Sequence, residues 1–258
     1  MNILIIGCGF IGNTIAKAAE DMETIEKVYF MDKHREKLEK TSSTYSKSEM
    51  SCNLSDALNK VDLVIEAASQ EALMEFGIQV LNEGKDLIML SVGALHNEKF
   101  TRKLLDTAME KGAKVCIPSG AIGGLDAIKS AQCGELRKVT LETRKSMTSL
   151  GMEQIPEKPV VVFEGPASLA IKRFPKNINI AASISLVGLG FERTKVKIIL
   201  DPSVKKNIHT ITAEGDFGSM TMIMENNPAP ENPRTSQLAA LSAISTLKQI
   251  TNPIHVGV

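Results

Sequence analysis

A chain of 258 residues, 43 % of them hydrophobic, is long enough for one large domain or two of ordinary size around a substantial core. Thirty basic and thirty acidic residues cancel, so no field of one sign draws in nucleic acid or an anionic membrane, and the expected partners are small molecules or protein. Four scattered cysteines without C-x-x-C spacing, an apolar start without a basic flank, and a longest later apolar stretch (178–191) broken by Asn179, Ser183 and Ser185 read as a soluble cytoplasmic protein. Reduced thiols, no structural zinc and no membrane span go with that reading.

The first strand is expected at 2–6, where Asn2-Ile3-Leu4-Ile5-Ile6 is apolar and β-branched. It stops at Gly7-Cys8-Gly9-Phe10-Ile11-Gly12, a G-x-G-x-x-G placed between a strand and a helix of about Phe10 to Ala19. Gly7 suits the tight turn, Gly9 the approach of a pyrophosphate, and Gly12 the packing of helix on strand, while Phe10 and Ile11 give the first-turn amides that face an anion. A second strand at 27–31 ends at Asp32, the acid expected about twenty positions on to bind the adenosine ribose. The alternative is a glycine-rich turn with a strand-end aspartate that caps the next helix. Further strands at 62–66, 86–90 and 114–117 alternate with helical periodicity, Ser69 being an N-cap for a helix to about Asn82, and Phe100, Leu104, Leu105 and Ala108 marking the next. This is the pattern of a Rossmann-type parallel sheet covered by helices.

After Pro118 the pattern changes. A small-residue loop, Ser119 to Ala127, opens a helix and marks a domain boundary. An alternating strand follows, with Val139, Leu141 and Thr143 on one face and Lys138, Thr140, Glu142 and Arg144 on the other. Stretches 159–164, 195–201, 207–213 and 217–225 are also extended, and helices are expected at about 166–173 and 177–188. The result is an α+β domain with a mixed sheet. A last helix is expected over about Thr235 to Lys248, with the loop 226–233 before it. The domain reading is 1–118 with the C-terminal segment 234–258 packing back on it, and 119–233 for substrate and dimerisation.

Few residues could carry proton chemistry. His34 and His96 lie near helix or strand ends and His255 in the tail, whereas His209 lies inside an alternating strand. It is either a catalytic base or a hydrogen-bonded structural histidine. Asn232, Arg234, Thr235 and Ser236 bring a guanidinium and hydroxyls to an expected helix N-terminus, which suits a substrate carboxylate; the alternative is an ordinary cap with a surface arginine. No H-E-x-x-H or clustered carboxylates are present, so metal catalysis is not expected.

Gly7 to Gly12, the loop Ile117-Pro118-Ser119-Gly120-Ala121-Ile122-Gly123-Gly124-Leu125-Asp126, Gly165-Pro166-Ala167-Ser168 with Phe174 to Ala181, Asn207-Ile208-His209, and Asn232-Pro233-Arg234-Thr235-Ser236 together resemble the L-aspartate dehydrogenase family. Leu169 departs from the more polar residue expected there. The resemblance covers nearly the whole chain and implies His209 as the active-site residue and contacts to NAD at Ala121 and Asn179, with Asn177 as the alternative to Asn179. It implies hydride transfer from L-aspartate to NAD, giving iminosuccinate, which hydrolyses to oxaloacetate and ammonia or feeds NAD biosynthesis, in a homodimer. NADP stays open as a cofactor because Lys33 and Arg35 flank Asp32. Two other readings stand beside it: another amino-acid or hydroxy-acid dehydrogenase such as a homoserine dehydrogenase relative, and a non-catalytic nicotinamide-binding regulator.

Overall fold

The structure, a computed structural model, describes residues 1–146, 158–174 and 179–254, apart from the side chain of Arg234. The chain folds as two compact units, one of Met1–Pro118 joined by the C-terminal helix from Ala240 onward, the other of Ser119–Ala239.

The first unit runs β1 (Asn2–Ile6), α1 (Phe10–Glu20), β2 (Lys27–Met31), α2 (Arg35–Ser42), β3 (Ser48–Met50), α3 (Leu54–Leu58), β4 (Leu63–Glu66), α4 (Gln70–Asn82), β5 (Asp86–Met89), a 3₁₀ turn at Val92–His96, α5 (Glu98–Lys111) and β6 (Val115–Cys116). Its six strands are parallel in the order β3-β2-β1-β4-β5-β6. Both faces of a parallel sheet are covered by its crossover helices, which is why its central strands are continuous apolar runs. Ile3, Ile5, Phe30 and Leu63 are at most 1 % exposed, and each such side chain contributes about 1.5–3 kcal/mol by leaving water. The Ser69 hydroxyl accepts the Ala72 N–H at 3.2 Å and starts α4 where the spacing predicts. Strand β3 has no counterpart in the sequence reading. Its three residues, Ser48-Glu49-Met50, form an edge with two exposed side chains and carry no apolar pattern.

The second unit contains α6 (Leu125–Ala131), β7 (Leu136–Lys145), β8 (Val160–Pro166), α7 (Ala167–Arg173), α8 (Asn179–Val187), α9 (Gly190–Arg193), β9 (Lys195–Leu200), β10 (Asn207–Gly215), β11 (Gly218–Asn226), β12 (Pro228–Ala229), β13 (Asn232–Ser236) and the start of α10 (Gln237–Ile250). Its larger sheet is mixed, in the order β11-β10-β7-β9-β8, with only β7 and β9 parallel. The alternation read in β7 holds: Val139, Leu141, Thr143 and Lys145 are buried and the residues between them are not. On β10 the buried set is Asn207, His209, Ile211, Ala213 and Gly215. Pairing of His209 with Thr143 and of Ile211 with Leu141 puts the two sets on one face.

The last helix begins two residues later than the sequence reading has it. Thr235 and Ser236, expected in its first turn, end strand β13, which pairs with β12. Asn232 precedes a proline, which disfavours helical backbone there. The first helical N–H, that of Gln237, is taken by the Asn227 carbonyl at 3.0 Å. From Ala240 the helix belongs to the first unit, and Ala243 and Leu247 join the core cluster that holds Ile3, Ile5 and Phe30. No helix among the described residues is long and apolar enough to cross a membrane.

Candidate active site

At the carboxyl ends of β1 and β4 the strand order reverses, the position at which open α/β sheets bind ligands. Gly7 has φ +112°, and a Cβ there would lie 2.7 Å from the Ala67 carbonyl oxygen, so the turn requires glycine. A Cβ on Gly12 would overlap the Gly7 carbonyl oxygen, which ties α1 closely to the turn. Gly9 differs from both. Its backbone (φ −81°, ψ −171°) suits any residue, and a Cβ would meet nothing within 4 Å. The space over Gly9, at the N-cap of a helix with no side-chain cap and no acid in its first turn, is therefore room for a ligand. Phe10 and Ile11 form the first turn behind it.

Asp32 stands at the end of β2, its carboxylate accepting the Cys8 N–H at 2.7 Å and the His34 N–H at 2.8 Å. It braces the glycine turn from the next strand. Burial, and then the charge of Asp32, push the Cys8 thiol up to about 11, so this cysteine stays protonated and is no nucleophile. These residues fit the pyrophosphate and ribose of a dinucleotide.

The sequence reading missed Glu66. It ends the apolar strand β4 yet is 1 % exposed. Its carboxylate accepts from the Ala68 N–H at 2.8 Å, the Ser91 hydroxyl at 2.8 Å and the Ser91 N–H at 3.0 Å. It thereby joins the loops after β4 and β5 at the ligand end of the sheet. Burial raises its pKa against the opposing pull of those hydrogen bonds. An acid closing an apolar strand, Leu63-Val64-Ile65-Glu66, is the signal that could have found it.

The second unit assembles a polar cluster on the buried face of its sheet. His209 is 2 % exposed and its Nδ1 lies 3.1 Å from the Thr143 hydroxyl on the neighbouring strand, which pins the imidazole. Two residues beyond Thr143, on the same face, Lys145 is 5 % exposed. Asn207, two before His209, is fully buried; its Nδ2 donates to the Ser236 hydroxyl at 3.2 Å and its Oδ1 has no hydrogen-bond partner among the described residues. Desolvation pulls the Lys145 ammonium down to about 8. Desolvation, and then the charge of Lys145, pull the His209 imidazole down to about 3. At that value the imidazole of the free protein is neutral at pH 7.

The other predicted residues divide. Ser236 enters the buried cluster, whereas the Asn232 side chain donates to the Thr235 hydroxyl at 3.1 Å among exposed groups. Asn232, Arg234, Thr235 and Ser236 lie on strand β13, which runs directly into the last helix at Gln237, so Ser236 stands at the helix N-terminus while the other three lead up to it in extended conformation; the Arg234 side chain lies outside the described residues. Ala121 is buried in the loop before α6, and its carbonyl accepts from Asn226 Nδ2 at 2.8 Å. Asn179 is exposed and opens α8, while Asn177 and His255 lie outside the described residues. A cavity of about 760 Å³ in the second unit, lined by Gln132, Arg137, Ser185 and Arg193 among others, includes none of the predicted residues.

A helix-covered parallel sheet in this strand order, with a glycine turn at its switch point and an acid at the end of β2, defines a nicotinamide-dinucleotide-dependent oxidoreductase. Residues 7–118 match the family model described as homoserine dehydrogenase, NAD binding domain, and residues 126–250 that described as aspartate dehydrogenase, C-terminal. The chain is 45 % identical to the L-aspartate dehydrogenase of Methanosarcina barkeri, with 100 % of this chain and 99 % of that one covered. It is 40 % identical to that of Methanocaldococcus jannaschii over the same shares. The crystal structure of aspartate dehydrogenase from Thermotoga maritima agrees with a TM-score of 0.81 at 32 % identity, covering 99 % of each chain. This chain belongs to the L-aspartate dehydrogenase family. A homoserine dehydrogenase from Thiobacillus denitrificans, with a TM-score of 0.63 at 13 % identity over 97 % of this chain and 73 % of that one, shares the fold alone.

Proposed function

We propose that this enzyme oxidises L-aspartate to iminosuccinate, with His209 as the base, and that NAD is the favoured cofactor. The observation that carries the reading is an imidazole buried on a rigid strand, held by Thr143 and accompanied on the same buried face by Lys145 and Asn207. NAD, when bound, supplies the acceptor for the hydride that leaves Cα. The glycine turn and the first turn of α1 hold its pyrophosphate, Asp32 its ribose, with Ala121 and Asn179 as further contacts implied by the family. NAD is favoured over NADP because the Asp32 carboxylate at the end of β2 would repel a 2′-phosphate.

His209 takes a proton from the substrate ammonium, and the nitrogen lone pair so released forms the C=N bond as the hydride departs. After that proton is lost to solvent, the same imidazole deprotonates the water that adds to the imine carbon, leading to oxaloacetate and ammonia. A dicarboxylate bound beside His209 raises the imidazole pKa again, so the base strengthens when substrate arrives. In this reading Ser236 and Arg234, with Asn232 and Thr235 beside them, hold a substrate carboxylate, and iminosuccinate supplies NAD biosynthesis in the cytoplasm. A homodimer is supported by the open face of the mixed sheet, where Ile208, Thr210 and Thr212 are half-buried and Ile223 is exposed.

The test is NADH consumption, followed by absorbance, with oxaloacetate and ammonia against a panel of other oxo acids. Consumption with oxaloacetate alone is expected. Preference for another oxo acid, or no turnover at all, overturns the assignment.

A further inference from the structure

We propose that Lys145 receives a carboxylate of the substrate and is the residue through which the second unit selects dicarboxylates. The inference rests on the reading of the His209 face as the substrate site and goes beyond it by naming a group that the sequence did not single out.

Geometry is the first ground. Lys145 ends β7 on the face that carries Thr143, and Thr143 is the direct partner of His209. The antiparallel register sets Lys145, one step past the Ile208–Arg144 pair, across from Asn207. Same-face diagonal neighbours on paired strands have Cβ atoms about 7–8 Å apart, a spacing that a four-carbon amino acid can span between Lys145 and His209. Thr143, Lys145, Asn207, His209 and Ser236 are all at least nine-tenths buried, although they come from three separate strands.

The second ground is the unused hydrogen-bonding capacity of this cluster. Asn207 Oδ1 is buried without a partner among the described residues, and such an atom costs free energy that a bound donor restores. A substrate amino group is such a donor, and a substrate carboxylate is what a buried ammonium accepts best. Arg144, the neighbour of Lys145 in the chain, points to the other face and is paired with Asp201 at 2.8 Å. The guanidinium is therefore committed elsewhere, and Lys145 supplies the positive charge on the His209 side.

Desolvation explains why a lysine suits this place. With its pKa at about 8, the ammonium persists at neutral pH but at a cost that an incoming carboxylate relieves. The same carboxylate offsets the Lys145 charge, which adds to desolvation in holding the His209 imidazole down. Binding of the right substrate and strengthening of the base thereby become one event.

The decisive measurement is calorimetric binding of succinate, a dicarboxylate that cannot react, to the NADH-loaded enzyme, with propionate as the monocarboxylate control. Lys145→Met should weaken succinate binding and raise the KM for aspartate by about ten- to a hundredfold, the effect of losing a hydrogen bond to a charged group. NADH affinity should be unchanged. The thermal midpoint should stay or rise, because a buried charge is replaced by an apolar side chain of similar length. Lys145→Gln serves as a second variant should the methionine not fold. Succinate affinity and KM within about threefold of the wild type, or a loss confined to kcat, would overturn the role of Lys145. Failure of wild-type turnover with aspartate, by contrast, overturns the substrate assignment and leaves the succinate result to be read by itself.

Discussion

In the reading proposed above, the two units bind by different means. In the first, contacts to a ligand come mostly from backbone: a turn that requires Gly7, a helix start that requires Gly12, and open space above Gly9, with the Asp32 carboxylate beside the turn. In the second, they come from side chains of Thr143, Lys145, Asn207, His209 and Ser236, delivered by strands up to 93 positions apart in the chain, from 143 to 236. Backbone sites are compact in sequence because one turn makes them. Side-chain sites are dispersed, because sheet register brings their members together. The first unit should therefore be damaged by adding a methyl group, the second by removing a functional group.

The largest expected effect is in the second unit. His209→Ala should lower turnover by on the order of a hundredfold to ten-thousandfold, the usual loss of a general base, while NADH binding is kept. Near-normal turnover would make His209 a structural histidine. Because its imidazole lies at about 3 in the free protein, the wild-type kcat/KM profile should show no imidazole limb between about pH 5 and 7. Stability should carry the signature instead. The unfolded imidazole titrates at about 6.5, so as the pH falls below that value the unfolded chain binds a proton that the folded one refuses. This contribution is complete above about 6.5 and is lost toward pH 3, up to on the order of 4 kcal/mol. Acid denaturation of His209→Asn should be correspondingly flatter over that window.

A smaller effect, and a sharper contrast, lies within the glycine turn. Gly12→Ala forces a methyl group into the Gly7 carbonyl and should cost about 3 kcal/mol of stability, the upper range for overpacking. Gly9→Ala enters empty space in an unstrained conformation, so its denaturation midpoint should not move, yet NADH affinity should fall about tenfold or more as the methyl group occupies the ligand's place. Equal stability losses in both variants would place Gly9 in the fold rather than in the ligand site.

Smallest is the effect at Asp32, the proposed ribose partner, which is also bonded to the turn through the Cys8 amide. Asp32→Ala should raise the KM for NAD about tenfold more than that for NADP, through loss of the ribose hydrogen bonds and of the repulsion of a 2′-phosphate. An unchanged ratio would leave Asp32 only its bonds to the Cys8 and His34 amides.

The sequence by itself determined the order and nature of most elements. Strand β1, the glycine turn, strand β2 with Asp32, and helix α4 with its Ser69 cap all follow from short-range rules: apolar runs, glycine stereochemistry and a hydroxyl three residues from an orphan amide. The alternation of β7 also assigned Val139, Leu141 and Thr143 to one face. His209 and Ser236 were singled out by residue type and by family resemblance, but nothing local placed them in one cluster. Tertiary structure decided what depends on pairing and burial. It turned 232–236 into a strand because its partner, Pro228–Ala229, sits across a hairpin, and it buried Glu66 where two loops meet. It also set Lys145 one step past the Ile208–Arg144 pair, on the buried face that carries His209. A lysine at the end of a strand looks like any solvated charge until the neighbouring strands and the helices over them exclude water from it. That exclusion moves both the Lys145 ammonium and the His209 imidazole away from their ordinary pKa values, and desolvation by distant parts of the chain leaves no trace in local spacing.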